Sequence, residues 1–175
     1  IYATLTGADS KIRAGEYDIP PGTTPRTLLA LLESGAVVQH SVTIVEGWTF
    51  RDLRRALERE PVLDNTLAGQ DDAAVMSALG EPAVLPEGLF FPDTYLFGKG
   101  ATDVEILRQA RARMQRELEA AWNTRADDLP ITTPHEALIL ASIVEKETAL
   151  ASERARIAGV FTLQLRRGMR LQTDP

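Results

Sequence analysis

The sequence contains no cysteine. That excludes disulfides, thiol catalysis and cysteine-based metal sites, without fixing a compartment. It has no apolar run of about 18 residues, the length a membrane-spanning helix needs, so nothing in the 175 residues is expected to span a bilayer. Basic residues are in deficit: 19 Lys and Arg against 25 Asp and Glu give a net charge of −6 and a pI near 5.0. This argues against nucleic acid as a partner, since phosphate binding needs a basic surface. Histidine is scarce as well. His40 and His135 lie far apart, and two surface histidines are a better reading than a metal site. Aromatics make up only 6% of the chain.

What remains is an ordinary globular composition, 44% hydrophobic and 25% charged, enough for one domain or two small ones. Helix signals are clear. Thr24 with Pro25 opens a helix through Ser34 that Gly35 stops, and Thr49 opens another from Phe50 to about Arg59. Phe50, Leu53 and Leu57 form its apolar side. Asp72 to Leu79 is a short helix ended by Gly80, and Thr102 with Glu105 starts a long one running to Trp122. Thr133, Pro134 and Glu136 start a helix to about Leu150, and Ser152 starts the last, with Ile157, Val160, Phe161 and Leu165 inward and Gly168 at its end. Tyr17 to Ile19 and the Val42–Ile44 region read as strands. The segments 22–28 and 47–53 align at a 25-residue offset, which implies a strand–Gly–Thr–helix unit used twice. Pro82 and Pro86 frame a linker, which places a domain boundary near residue 84.

The chemistry concentrates at Ala141-Ser142-Ile143-Val144-Glu145-Lys146-Glu147-Thr148-Ala149. At 100° per residue, Glu147 shares a helix face with Leu140, Ile143 and Val144, and Glu145 lies about 160° away. Glu147 is thus expected to turn inward, near the negative end of its helix. Both settings favour a protonated carboxyl, the requirement for a general acid. A structural alternative is that the carboxylate pairs with Arg154 or Arg156. The aromatic stretch Glu87 to Gly98 also has two readings. It is an extended segment filling the core, or Tyr95 or a Phe lines a sugar-binding cleft while Glu87 and Asp93 supply hydrogen bonds.

These motifs, followed by Ala151-Ser152-Glu153-Arg154, Val160-Phe161 and Gly168 to Pro175, resemble the MltG (YceG-like) endolytic murein transglycosylases. Val45-Glu46-Gly47, Glu87-Gly88 and Phe91-Pro92-Asp93-Thr94 fit the same family, and the likeness covers nearly the whole chain. One departure is Thr162-Leu163-Gln164-Leu165, where the family often has Asn-Arg-Leu after Val-Phe-x.

The resemblance implies an α+β chain. Residues 1–84 would hold a LysM-like β/α module, and 85–175 a mostly helical, lysozyme-like catalytic region cut short at its C-terminal end. It implies an enzyme of the bacterial inner membrane, anchored by a segment outside this chain, with its catalytic region in the periplasm. It implies cleavage of the β-1,4 bond after N-acetylmuramic acid in nascent peptidoglycan strands, leaving 1,6-anhydro ends. It implies Glu147 as the catalytic acid/base, no metal or cofactor, and penicillin-binding-protein synthases as partners. Glu145, Ser142, Gln172 and Asp174 join Glu87, Asp93 and Tyr95 as supporting or substrate-binding candidates. Two rival readings stay open. One is a non-catalytic glycan-binding scaffold for cell-wall synthases. The other is a muramidase, with Asp93 or Asp174 as a second carboxylate.

Overall fold

The computed structural model describes residue 12 and residues 14–169. Gln172 and Asp174 lie outside the described residues. Six helices and two strands follow in the order α1 (Pro25–Ser34), β1 (His40–Thr43), α2 (Phe50–Arg59), α3 (Asp72–Leu79), β2 (Thr94–Phe97), α4 (Asp103–Asn123), α5 (Pro134–Glu147) and α6 (Ala151–Arg166) among the described residues. The class is α+β. None of these helices is long and apolar enough to cross a membrane.

Five of the six helices begin where side-chain chemistry satisfies free N–H groups, and α6, which follows Leu150, starts with no side-chain cap. Thr24, Thr49, Thr102 and Thr133 accept from the backbone three residues on, and the side chain at that third position reaches back to the cap. Gly35 and Gly80 end α1 and α3 in the left-handed conformation that favours glycine. The repeated unit is therefore real at the level of its caps. Both copies place a turn glycine at positive φ, 84° at Gly22 and 77° at Gly47, before a ten-residue helix. The strand halves do not repeat: residues 17–19 form no strand, and the second copy's strand is β1.

The strands β1 and β2 pair antiparallel, with Val42 opposite Tyr95 and His40 opposite Phe97. Period-two alternation sends Val42, Tyr95 and Phe97 into the core and leaves Ser41, Thr43, Thr94 and Leu96 outside. A 2.9 Å hydroxyl contact between Thr43 and Thr94 closes the outer face.

One core runs through this pairing. It joins Phe50, Leu53 and Leu57 of α2, Val75 and Met76 of α3, the aromatic segment, and Ile106, Leu107 and Ala110 of α4. Phe50 stacks on Phe90 at 5.2 Å between ring centres. Relative to the boundary expected near residue 84, β1 and β2 come from opposite sides, and the core draws on both. The linker prolines do not separate two bodies, because Glu81 is clamped to Arg111 of α4 at 3.1 Å and Arg108 donates to the Ala78 carbonyl at 3.0 Å. The last two helices are a lighter attachment. The helix α5 packs against α4 and α6, with Val144 its one buried residue. On α6, Phe161 is buried, Ile157 and Leu165 are half-buried, and Val160, expected inward, is exposed.

Candidate active site

The start of α5 is held by its sequence. Glu136 Oε2 accepts from the backbone N–H of Thr132 at 2.6 Å and of Thr133 at 3.1 Å, and Glu136 N–H donates to Thr133 Oγ1 at 3.2 Å. The Thr132 N–H bond, chiefly, holds the Glu136 carboxyl below the ordinary glutamate range. A depressed folded value has a definite sign. The stability it contributes is complete above the unfolded value near 4.5 and is lost as pH falls through the lower folded value. Glu136→Gln is therefore expected to be less stable than wild type at neutral pH and to converge with it in acid, as urea midpoints measured between neutral pH and the acid range will report.

One turn further on, α5 faces a cleft of about 390 Å³. Its residues His135, Leu138, Ile139, Ser142, Glu145 and Lys146 line one wall. Their spacing is that of a single helical stripe. The opposite wall is the turn between β1 and α2, with Val45, Gly47 and Trp48, together with Pro86, Glu87, Gly88 and Phe90.

Three of the expected site residues, Glu87, Ser142 and Glu145, meet at this cleft. Each already has a bond. Glu87 Oε2 accepts the Phe50 N–H at the start of α2, at 3.0 Å. Ser142 donates to the Ile139 carbonyl at 2.8 Å. Glu145 is gripped by Arg154, whose Nη2 lies 3.0 Å from Oε2 and 3.2 Å from Oε1. The arginine partner foreseen for Glu147 thus belongs to Glu145.

The remaining candidates go elsewhere. Tyr95 is buried beneath the strands, and its hydroxyl donates to the Phe91 carbonyl at 2.7 Å. Burial pushes that phenol up from its ordinary range. Asp93 pairs with Arg113, whose guanidinium also lies over the Phe91 ring. The core-filling reading of the aromatic segment therefore holds for Tyr95 and Phe97, while Phe90 and Phe50 reach the cleft floor.

Glu147 is the main departure. It is exposed, it is the last residue of α5, and it does not line the cleft. Packing stops at Val144 and resumes at Thr148, which is 7% exposed and bonded through its N–H to the Val144 carbonyl at 3.2 Å. The inward turn expected of Glu147 is corrected on a simple ground. From Ala137 to Val144 the helix is apolar almost all round, so the wheel does not single out one buried face. Among the described residues, the Glu147 side chain has neither a hydrogen bond nor an ion pair. Its neighbouring acids are occupied. Glu145 is held by Arg154, and Glu153 accepts from the Thr148 hydroxyl at 3.2 Å and lies 3.5 Å from Arg156.

Sequence reasoning missed Trp48, His135 and Lys146 as cleft residues. A signal for Trp48 was present: it follows Gly47 in a turn, where large side chains stay near the surface, and it is 39% exposed. His135 and Lys146 gave none beyond their register with Ser142.

The sequence model of the YceG-like family matches residues 1–175. Among curated relatives, an endolytic murein transglycosylase of Streptococcus pneumoniae is 28% identical over 195 residues, covering 93% of this chain and 34% of that protein. One of Bacillus subtilis is 26% identical over 191 residues, covering 99% of this chain and 52% of that protein. The chain thus spans about half or less of the length of these relatives. A solved yceG-like protein from Listeria monocytogenes shares the fold, with a TM-score of 0.53 at 22% identity, over 99% of this chain and 62% of that one.

Proposed function

Because the chain belongs to the YceG-like family, we propose that it carries glycan-cleaving machinery of an endolytic murein transglycosylase, with Glu147 as its acid and base. The observation that supports this most is the contrast among three neighbouring acids. A carboxylate whose oxygens already accept N–H bonds is a poor proton donor to a sugar, and this describes Glu145. Glu147 is the member of the group without such an engagement among the described residues.

In this reading a glycan strand supplies the cover that Glu147 lacks in the free chain, because a bound sugar excludes water from the carboxyl it touches. Glu147 gives its proton to the glycosidic oxygen as the C1–O bond breaks. The carboxylate then takes the proton of the sugar's own 6-hydroxyl while that oxygen bonds to C1. The product is a 1,6-anhydro end, and no water is consumed. One carboxyl serves both steps, whereas glycosidases that use water generally place two carboxylates across the bond. Glu87, Ser142 and Glu145 hold sugar in the cleft.

The wider setting follows the same reading. The region before residue 84 contributes a LysM-like module and the helices after it a lysozyme-like catalytic region, the two joined through the shared core. The whole protein is held at the inner membrane with this region in the periplasm, beside penicillin-binding-protein synthases.

End-group analysis tests the chemistry. Full-length protein incubated with purified glycan strands is expected to yield internal cuts with anhydro ends, identified by mass spectrometry. Reducing ends would make it a muramidase, and strands of unchanged length would make it a scaffold.

A further inference from the structure

The proposed chemistry needs the Glu147 carboxyl in one place, yet no side-chain bond among the described residues holds it there. Its position is therefore set by its backbone, at a helix end, where helices fray. The next residue fixes that backbone. Thr148 is 7% exposed and, with Asp103, one of two buried polar side chains among the described residues. It is the C-cap of α5 in extended conformation, at φ −149° and ψ 133°, so the chain leaves the helix there. Its N–H donates to the Val144 carbonyl at 3.2 Å. Its hydroxyl donates to Glu153 Oε2 at 3.2 Å, and its Oγ1 accepts the Leu150 N–H at 3.0 Å. One hydroxyl thus ties the end of α5 to the first turn of α6. A second tie spans the same joint, from Glu145 to Arg154 at 3.0 Å. Two adjacent side chains of α6, Glu153 and Arg154, therefore grip residues that bracket Glu147 without touching it.

We infer that Thr148 is a positioning residue for the proposed acid and base: the bond from its hydroxyl to Glu153 fixes how the chain leaves α5, and so the direction in which Glu147 projects. The inference rests on the assignment of Glu147 above and deepens it. A general acid works only within hydrogen-bond reach of the oxygen it protonates, and a misplacement of about 1 Å costs up to about a hundredfold in rate. Of the two ties, the Glu145–Arg154 pair is 43% and 46% exposed, and an ion pair in that setting holds its geometry weakly. The Thr148 hydroxyl is the buried anchor. Burying it without a partner is costly, so the joint is stable with both of its bonds made and resists other arrangements. Thr148 does not line the cleft, so it acts on the strand only through its neighbour.

The test measures kcat and KM for anhydro-end release by the full-length protein, well below the melting temperature of each variant. Thr148→Val keeps the branched shape and deletes the hydroxyl. It is expected to lower kcat about tenfold or more while KM stays within about twofold. Thr148→Ser, which restores the hydroxyl, should recover most of the loss. Glu153→Ala breaks the same bond from its more exposed end, so it serves if the valine variant does not fold, and it should also lower kcat with KM little changed. The two changes together should cost no more than Thr148→Val alone, because both delete one bond. Added to Glu147→Gln, Thr148→Val should leave the residual rate as it is. A lower melting temperature with kcat unchanged would make the hydroxyl a fastener of two helices and overturn the inference, leaving the assignment of Glu147 standing. Serine as slow as valine would do the same. Anhydro ends released by Glu147→Gln at the wild-type rate would remove the assignment, and the inference with it.

Discussion

Glu147→Gln in the full-length protein is expected to slow glycan cleavage by about a thousandfold, the usual contribution of a positioned general acid and base. Glutamine keeps the length and shape of the side chain and removes the proton it hands over. The change should leave the fold alone. Glu147 is exposed, and no hydrogen bond or ion pair of the described residues depends on it, so stability should stay within about 0.5 kcal/mol of wild type. Initial rates by chromatography of released strands, with melting temperatures alongside, will separate loss of chemistry from loss of structure. Binding of the strand should persist in the variant, because the substitution subtracts a proton and not a contact surface.

Asp103→Ala is expected to have the largest effect on stability, a loss of about 3 kcal/mol. Asp103 opens α4 and is 4% exposed. Its Oδ1 accepts from the Thr66 N–H at 3.1 Å and the Thr66 hydroxyl at 2.6 Å, and Oδ2 from the Leu67 N–H at 2.9 Å. These bonds fasten the loop between α2 and α3 to the start of α4, beside the Asp64–Thr102 bridge. Alanine strands the buried Leu67 donor and removes the Thr66 bonds to a charged acceptor, and an unsatisfied buried donor alone costs about 1–3 kcal/mol. Urea unfolding will report it as a shifted midpoint with unchanged slope. Asparagine should recover part of the loss, since it keeps one acceptor and replaces the other with a donor facing a donor.

These two sites differ in how far they can be read from sequence. Glu147 sits in a compact motif, so its candidacy needs no long-range information. Asp103 looks like one more acid in a helix's first turn, because its partners lie 36 and 37 residues away. The same division runs through the fold. Thr24, Thr49, Thr102 and Thr133 start helices by bonds that span three residues, and Gly35 and Gly80 stop them by backbone freedom, so all six boundaries are legible locally. The pairing of Val42 with Tyr95 joins segments from either side of the prolines and leaves no local trace, so the prolines after Gly80 read as a linker between bodies.

At the site, the helix wheel worked for α2, whose Phe50, Leu53 and Leu57 are all buried, because the rest of that helix is strongly charged. It failed on α5, where apolar residues surround the axis and two stripes compete: one packs on α4 and α6, the other lines the cleft. The cleft stripe carries Ser142 and Glu145 to Glu87. Tyr95 and Asp93 were drawn away by a buried backbone carbonyl and by Arg113, partners that composition does not reveal.

The most direct measurement sets Glu147→Gln beside Glu145→Gln in the full-length protein and counts anhydro ends released from the same glycan strands. The expected order is near-complete loss for residue 147 and a loss of no more than about tenfold for residue 145, which in this account binds and does not donate. The reverse order, with Glu147→Gln releasing anhydro ends at close to the wild-type rate, would contradict the account at its centre.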